Sequence, residues 1–123
     1  MPSTIRVLIA DDHRLFAEAL EAILASEPDI EVVGRARNGE EAVEQALALT
    51  PDVILMDIAM PGVDGVEATK RIRRKERDAC VLMLTGSNSR TDVARSREAG
   101  AAAYVTKDRI AAQLIEAIRE LAV

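Results

Sequence analysis

The sequence predicts an α/β fold of three layers, in which a five-stranded parallel sheet lies between helices on its two faces. Two observations predict it. Short β-branched runs alternate strictly with longer stretches of helical periodicity, five of each. The most apolar runs, VILM at 53–56 and CVLML at 80–84, show no polar alternation, as expected of strands buried on both faces. Such alternation implies parallel pairing through right-handed crossovers.

Ile5–Ala10 (IRVLIA) is the first strand and stops at Asp11-Asp12. Leu15–Ala25 follows as a helix with Leu15, Phe16, Ala19, Leu20, Ile23 and Leu24 at helical spacing, ended by Pro28. Ile30–Ala36 is a weaker strand suited to a sheet edge. Asn38-Gly39 makes a turn into the helix Glu40–Leu49, with Ala42, Val43, Ala46 and Leu47 inward, and Pro51 stops it. Val53–Met56 is a central strand, and Asp57 follows at once. The loop IAMPGVDG leads into a helix over Val66–Arg74. Cys80–Leu84 is the next buried strand, ending at Thr85-Gly86. Thr91–Ala99 is a helix with Gly100 as its C-cap. Ala102–Thr106 is the last strand and ends at Lys107. The last helix, Ile110–Val123, carries Leu114, Ile115, Ile118, Leu121 and Ala122 on one face.

Composition bounds the rest. The 123 residues fit one domain, 1–123, able to build a core without disulfides. With 49% hydrophobic and 30% charged residues, the chain is globular rather than disordered. Phe16 and Tyr104 are its two aromatics, so the core is aliphatic. Net charge is -5, which makes the basic stretch RIRRKER at 71–77 the solvated end of a helix rather than a nucleic-acid patch. Cys80 has no partner for an internal disulfide and is read as core packing. Arg6 and Asp11 interrupt the first apolar run, so no signal peptide is expected in it. No apolar stretch approaches the roughly 18 residues a membrane span needs. The expected location is cytoplasmic, with no membrane partner.

In open α/β sheets, ligands sit outside the carboxyl ends of the strands, where strand order reverses. Strand one ends in Asp11-Asp12, strand three in Asp57, strand four in Thr85 and strand five in Lys107. The second ends in Ala36-Arg37 and offers no acid or hydroxyl. In the order 2-1-3-4-5 that strand lies at the far edge and the other four ends surround one pocket. Three carboxylates gathered there need a cation or must take up protons. A set of few, all-oxygen ligands suits Mg²⁺, which would keep Asp57 ionised and nucleophilic. Lys107 can pair with a phosphoryl oxygen and the Thr85 hydroxyl can donate to another. Such a site is built to move a phosphoryl group onto a carboxylate. Singly, each group has a plainer role: Asp11-Asp12 as a helix cap, Asp57 as a loop acid, Thr85 as a strand-end hydroxyl and Lys107 as a solvated lysine. His13 is read as the start of the first helix rather than a ligand, because no second His or Cys accompanies it.

The motifs VLIADDHRLF, DVILMDIAMPGVDG, VLMLTG and GAAAYVTKD resemble the receiver domain of bacterial two-component response regulators over the entire chain. DDH-x-LF-x-EAL and Y-V-x-K-D look like the NarL/LuxR subfamily. The resemblance implies a CheY-like, flavodoxin-like sheet in the order 2-1-3-4-5. It implies that Asp57 is the phosphoacceptor, Asp12 a direct Mg²⁺ ligand, Asp11 an acid acting through water, and the Ala59 carbonyl a third protein ligand. Thr85 matches the switch hydroxyl, Lys107 the phosphate-pairing lysine and Tyr104 the switch aromatic. Pro61, Gly62, Asp64 and Gly65 match the turn after the acceptor. A sensor histidine kinase is the implied phosphodonor, and transcription the implied output. A homodimer through the first and fifth helices is also implied. Contact with DNA is expected only through a C-terminal helix-turn-helix domain that this chain does not include. The domain is expected to catalyse only its own phosphorylation and dephosphorylation. One departure is Asp108, where many receivers carry a proline after a cis peptide.

Two other classes compete. A small phosphohydrolase of the haloacid dehalogenase type also uses an Asp nucleophile, Mg²⁺, a hydroxyl and a Lys, but carries D-x-D after strand one. A phosphorylation-independent interaction module would share the fold but usually lacks an acid or the lysine.

Overall fold

The computed structural model describes residues 4–86 and 90–122. The elements run β1 (Ile5–Ala10), α1 (Arg14–Ala25), β2 (Ile30–Ala36), α2 (Gly39–Leu49), β3 (Val53–Asp57), α3 (Gly65–Lys75), β4 (Val81–Thr85), α4 (Arg90–Ala99), β5 (Ala103–Thr106) and α5 (Ile110–Leu121), with a 3-10 turn over Lys107–Arg109. All strand pairs are parallel, in the order β2-β1-β3-β4-β5. Val123, the expected end of the last helix, lies outside the described residues.

The period-2 alternation of the strands divides the core into two halves. Leu8, Ala10, Ile54, Met56, Val81 and Met83 face α2, α3 and α4, where they meet Ala42, Ala46, Ala68, Ile72 and Ala99. Val7, Ile9, Val53, Leu55, Leu82, Leu84 and Val105 face α1 and α5, against Ala17, Leu20, Leu24, Ile110, Leu114 and Ile118. β1, β3 and β4 are thus covered on both sides, which is why their sequences read as unbroken apolar runs.

Local chemistry sets most boundaries. Asn38 Oδ1 caps α2 by accepting from the Glu41 N–H at 2.8 Å, and Asp64 Oδ1 caps α3 from the Glu67 N–H at 2.8 Å. These caps start both helices one residue before the expected position. Gly100, at φ +101°, ends α4 as expected, with the Ala101 N–H returning to the Ser96 carbonyl at 3.0 Å. In β2 the register slips after Val7↔Val32 to Leu8↔Gly34, a bulge on the edge strand.

Two expectations change. The buried face of α1 is Ala17, Leu20 and Leu24, whereas Leu15 is 80% exposed and Ala19 is exposed too. Leu15 fits the periodic pattern but lines the open cleft at the strand ends instead of touching the core. α1 ends at Ala25, as expected, and the hydroxyl of Ser26 beyond it donates to the Ile23 carbonyl at 2.7 Å. Cys80 precedes β4 and is only half-buried, rather than a core residue.

Candidate functional site

The pocket forms where β1 and β3 end, at the crossover between outward and returning strand order. β1 pairs with both β2 and β3, and the Asp11 N–H donates to the Ala36 carbonyl at 3.0 Å, which fixes the backbone as it leaves the sheet. Asp57 is the last residue of β3 and pairs with Leu84 of β4. The Ile58 N–H donates to the Leu84 carbonyl at 3.0 Å and the Gly65 N–H to the Ile58 carbonyl at 3.0 Å, so the chain is held on both sides of the turn after Asp57. Gly62 takes φ +73° in that turn, a conformation in which a side chain would be strained.

The structure brings Asp11, Asp12, Asp57 and Lys107 together. Lys107 Nζ lies 3.2 Å from Asp11 Oδ2 and 3.5 Å from Asp57 Oδ2. It also stands 4.2 Å over the Phe16 ring, a cation–π contact that props the lysine from the side of α1. Asp57 Oδ1 accepts from the Ala59 N–H at 3.4 Å, a long bond that leaves the other oxygen for the pocket. Asp11 and Asp57 are 3% and 2% exposed, and Oδ2 of each is buried without a hydrogen bond, although both lie near the lysine charge. Distance alone makes these ion pairs; neither oxygen is satisfied.

Electrostatics follow from that arrangement. Burial pushes the Asp57 carboxyl up to about 6, the nearby Asp11 carboxylate and, less, Asp12 push it the same way, and Lys107 and the Ala59 N–H oppose them. One lysine therefore does not balance three acids. The missing charge and the two unsatisfied oxygens fit a small oxygen-seeking cation held by Asp11, Asp12 and Asp57. An open cleft of about 550 Å³, lined by His13, Leu15, Phe16, Asp57, Ala59, Gly86 and Lys107, gives access.

Thr85 ends β4 and is 2% exposed, one residue beyond Leu84, the strand partner of Asp57. Tyr104 is half-buried on β5 and lines a separate cavity of about 90 Å³ with Val93, Ser96 and Arg97 of α4. Met83, Thr85, Tyr104 and Thr106 share one register, Met83↔Tyr104 and Thr85↔Thr106, on the sheet face toward α4. Among the described residues there is no cis peptide, so the Lys107-Asp108 bond is trans. His13, which starts α1 as expected, also lies beside the pocket acids. Its backbone N–H donates to Asp11 Oδ1 at 2.8 Å, and this short turn folds the imidazole back over the pocket, with Nδ1 3.3 Å from Asp11 Oδ1. The signal was the D-x-H spacing at a strand end, where an Asp side chain bonds the backbone two residues on.

Two exposed arginines tie elements of the chain together near the surface. Arg119 Nε and Nη2 bind Asp29 at 2.9 Å each, and Nη2 also meets Glu27 Oε1 at 2.6 Å, tying α5 to the turn after α1. Arg95 of α4 reaches Asp64 Oδ2, before α3, at 3.2 Å.

Comparison with known proteins gives a consistent result. The family model for the response regulator receiver domain matches residues 7–119. The transcriptional regulatory protein LiaR of Bacillus subtilis is 47% identical over 115 residues, covering 94% of this chain and 54% of that protein. The chain spans about half the length of the curated relatives it matches. A two-component response regulator of the LuxR family from Aurantimonas sp. SI85-9A1 superposes with a TM-score of 0.93 at 34% identity, over 98% of this chain and 86% of that one. The CheX-CheY-BeF3-Mg²⁺ complex from Borrelia burgdorferi gives a TM-score of 0.91 at 26% identity, over 98% and 91%. No helix among the described residues is long and apolar enough to cross a membrane.

Proposed function

This chain belongs to the response regulator receiver domain family, of the NarL/LuxR type, and on that premise we propose that it is switched by phosphorylation of Asp57. One observation carries the assignment. Asp57 presents a buried oxygen with no hydrogen bond, 3.5 Å from Lys107, at the carboxyl end of the central strand. The phosphodonor is a phosphohistidine on a sensor kinase. A carboxylate oxygen of Asp57 attacks phosphorus, the P–N bond breaks as the O–P bond forms, and the leaving imidazole keeps the electron pair and takes up a proton. Lys107 pairs with a phosphoryl oxygen while its ammonium stands over the Phe16 ring. The Thr85 hydroxyl, one residue past the partner of Asp57, donates to another.

Asp12, Asp11, Asp57 and the Ala59 carbonyl would hold Mg²⁺, with Asp12 a direct ligand and Asp11 acting through water. When bound, Mg²⁺ supplies positive charge that keeps Asp57 ionised and offsets charge on the phosphoryl oxygens. The Mg²⁺ of the Borrelia CheY complex supports this reading. The domain turns over no separate substrate, and residues 1–123 form one receiver domain. In the whole protein, the output is control of transcription through a C-terminal DNA-binding domain, in the cytoplasm. Dimerisation uses α1 and α5.

Intact-protein mass spectrometry with Mg²⁺ and acetyl phosphate tests the assignment. The expected result is one added phosphate, labile as an acyl phosphate and absent from Asp57→Asn. Full labelling of Asp57→Asn overturns it, and continuous turnover of an added phosphomonoester favours the dehalogenase-type hydrolase instead.

A further inference from the structure

At the amino end of the sheet, opposite the phosphorylation pocket, the fold leaves a recess of about 150 Å³ between the end of α2 and the end of α3. Ala46, Ile54 and Ile72, all nearly fully buried, supply its apolar floor. Native packing leaves few voids larger than a water molecule, and a cavity of about 150 Å³ lined by aliphatic side chains admits a molecule the size of benzene. Ile54 stands three residues before Asp57 on β3. The recess thus shares the acceptor strand but no lining residue with the acceptor's pocket.

Backbone hydrogen bonds set the shape of its rim. On one side Thr50 ends α2 at φ +45°, a left-handed conformation that is costly for a β-branched residue. Arg6 of β1 holds that turn, its Nη1 donating to the Leu49 and Thr50 carbonyls at 2.8 and 3.1 Å. On the other side the Ala79 N–H donates to the Glu76 carbonyl at 3.1 Å, which closes the turn after α3. The opening is therefore preformed, as ligand sites generally are.

The charge at its mouth is of one sign. Exposed Glu76 and Asp78 line it, and neither side chain has a hydrogen bond or ion pair among the described residues. The cations of the same stretch are turned elsewhere. Arg71 pairs with Glu67, while Arg73 and Arg77 line a neighbouring groove beside Cys80, which Asp78 and Ala79 border as well. An apolar floor under two carboxylates selects the occupant by complementarity: an apolar body fills the recess and a positive charge meets the acids. We propose that this recess is a second ligand site, separate from the phosphorylation pocket, for a small organic cation with one ammonium group on a compact apolar body.

Methyl NMR of the intact chain tests this, with cyclohexylammonium as the probe and cyclohexanol and cyclohexanecarboxylate as its neutral and anionic counterparts. Saturable shifts are expected at the Ala46, Ile54, Ile72 and Ala79 methyls. Cyclohexylammonium should bind at least about three-fold more tightly than cyclohexanol, the scale of two exposed ion pairs, and the carboxylate most weakly. Glu76→Gln combined with Asp78→Asn changes two exposed side chains; it should erase that preference while leaving cyclohexanol affinity within about two-fold. Ala79→Leu, at a half-buried position, should fill the recess and abolish binding of both. No saturable shift with any probe, or shifts centred on Asp57, overturns the site. Equal affinity for ammonium and alcohol in wild type, or a preference that survives loss of both carboxylates, overturns the cationic occupant.

Discussion

Gly65 packs directly against the backbone of Asp57: a Cβ at position 65 would overlap the Asp57 carbonyl oxygen and sit 2.9 Å from Ile58 Cα. The first residue of α3 thereby sets how close the helix comes to the end of β3, and so where the acceptor carboxylate stands. Gly65→Ala must push the two apart. Overpacking of this kind costs about 1–3 kcal/mol, and denaturant unfolding should show that loss. Phosphorylation by acetyl phosphate should slow as well, since the displaced atoms belong to Asp57. An unchanged unfolding midpoint would mean the contact relaxes without effect.

Asp57 also gives the metal-free protein an unusual pH dependence. Its carboxyl is pushed up to about 6, from an ordinary value of 3.8, so between those values the folded chain holds a proton that the unfolded chain releases. Stability from this group is therefore fully present below about 4 and is lost as pH rises through about 6. The amount is on the order of 1–3 kcal/mol. Asp57→Asn removes the burial of that charge. Unfolding in the presence of a chelator, from pH 4 to 7.5, should show the variant gaining on wild type as pH rises. Parallel curves would contradict the burial of an unbalanced acid.

Asp11 and Asp12 differ in setting and should differ in effect. The Asp11 side chain is fully buried and faces Lys107, whereas that of Asp12 is 29% exposed. Asp12→Ala should weaken Mg²⁺ binding and slow phosphorylation more than Asp11→Ala, because a direct ligand loses a coordination bond. Asp11→Ala should instead lower the titration midpoint of Asp57, since the Asp11 charge holds it up. Equal phosphorylation rates for the two variants at limiting Mg²⁺ would reverse or merge these roles.

The fold was legible because its strands are short and doubly covered: VILM and VLML can be little else in a chain that alternates with amphipathic helices. The strand-end rule then gathered Asp11, Asp12, Asp57 and Lys107 from places up to 96 residues apart. What it could not reach was orientation. The helical spacing of Leu15 and Phe16 is the same whether the first turn lies on the sheet or above it. In the structure Leu15 faces out, while Phe16 supports Lys107. His13 looked alone because a search for partner His or Cys overlooks carboxylates, and because a backbone turn, not periodicity, aims its ring. The pairing of Arg119 with Asp29 joins residues 90 apart on the exposed surface, where no apolar pattern marks a contact.

The last prediction concerns how the site reaches the surface. Thr85 and Tyr104 lie on one face of adjacent strands, offset by two positions, under α4. A phosphoryl group can shift the balance between two states only if it binds one of them better. The Thr85 hydroxyl supplies that difference if it is drawn toward a phosphoryl oxygen on Asp57. Its movement would vacate space on the face that Tyr104 shares, and the cavity beside Tyr104 and Ser96 gives the ring room to repack against α4. The Ser96 hydroxyl is buried there without a hydrogen bond, so the packing under α4 is not saturated in this state. Thr85→Val keeps the β-branch and the buried volume but removes the hydroxyl. It should still accept phosphate on Asp57, more slowly, and lose most of the phosphorylation-dependent change in amide exchange along α4. If the Val variant shows the same change on α4 as wild type, Thr85 is not the relay and the coupling runs through another contact.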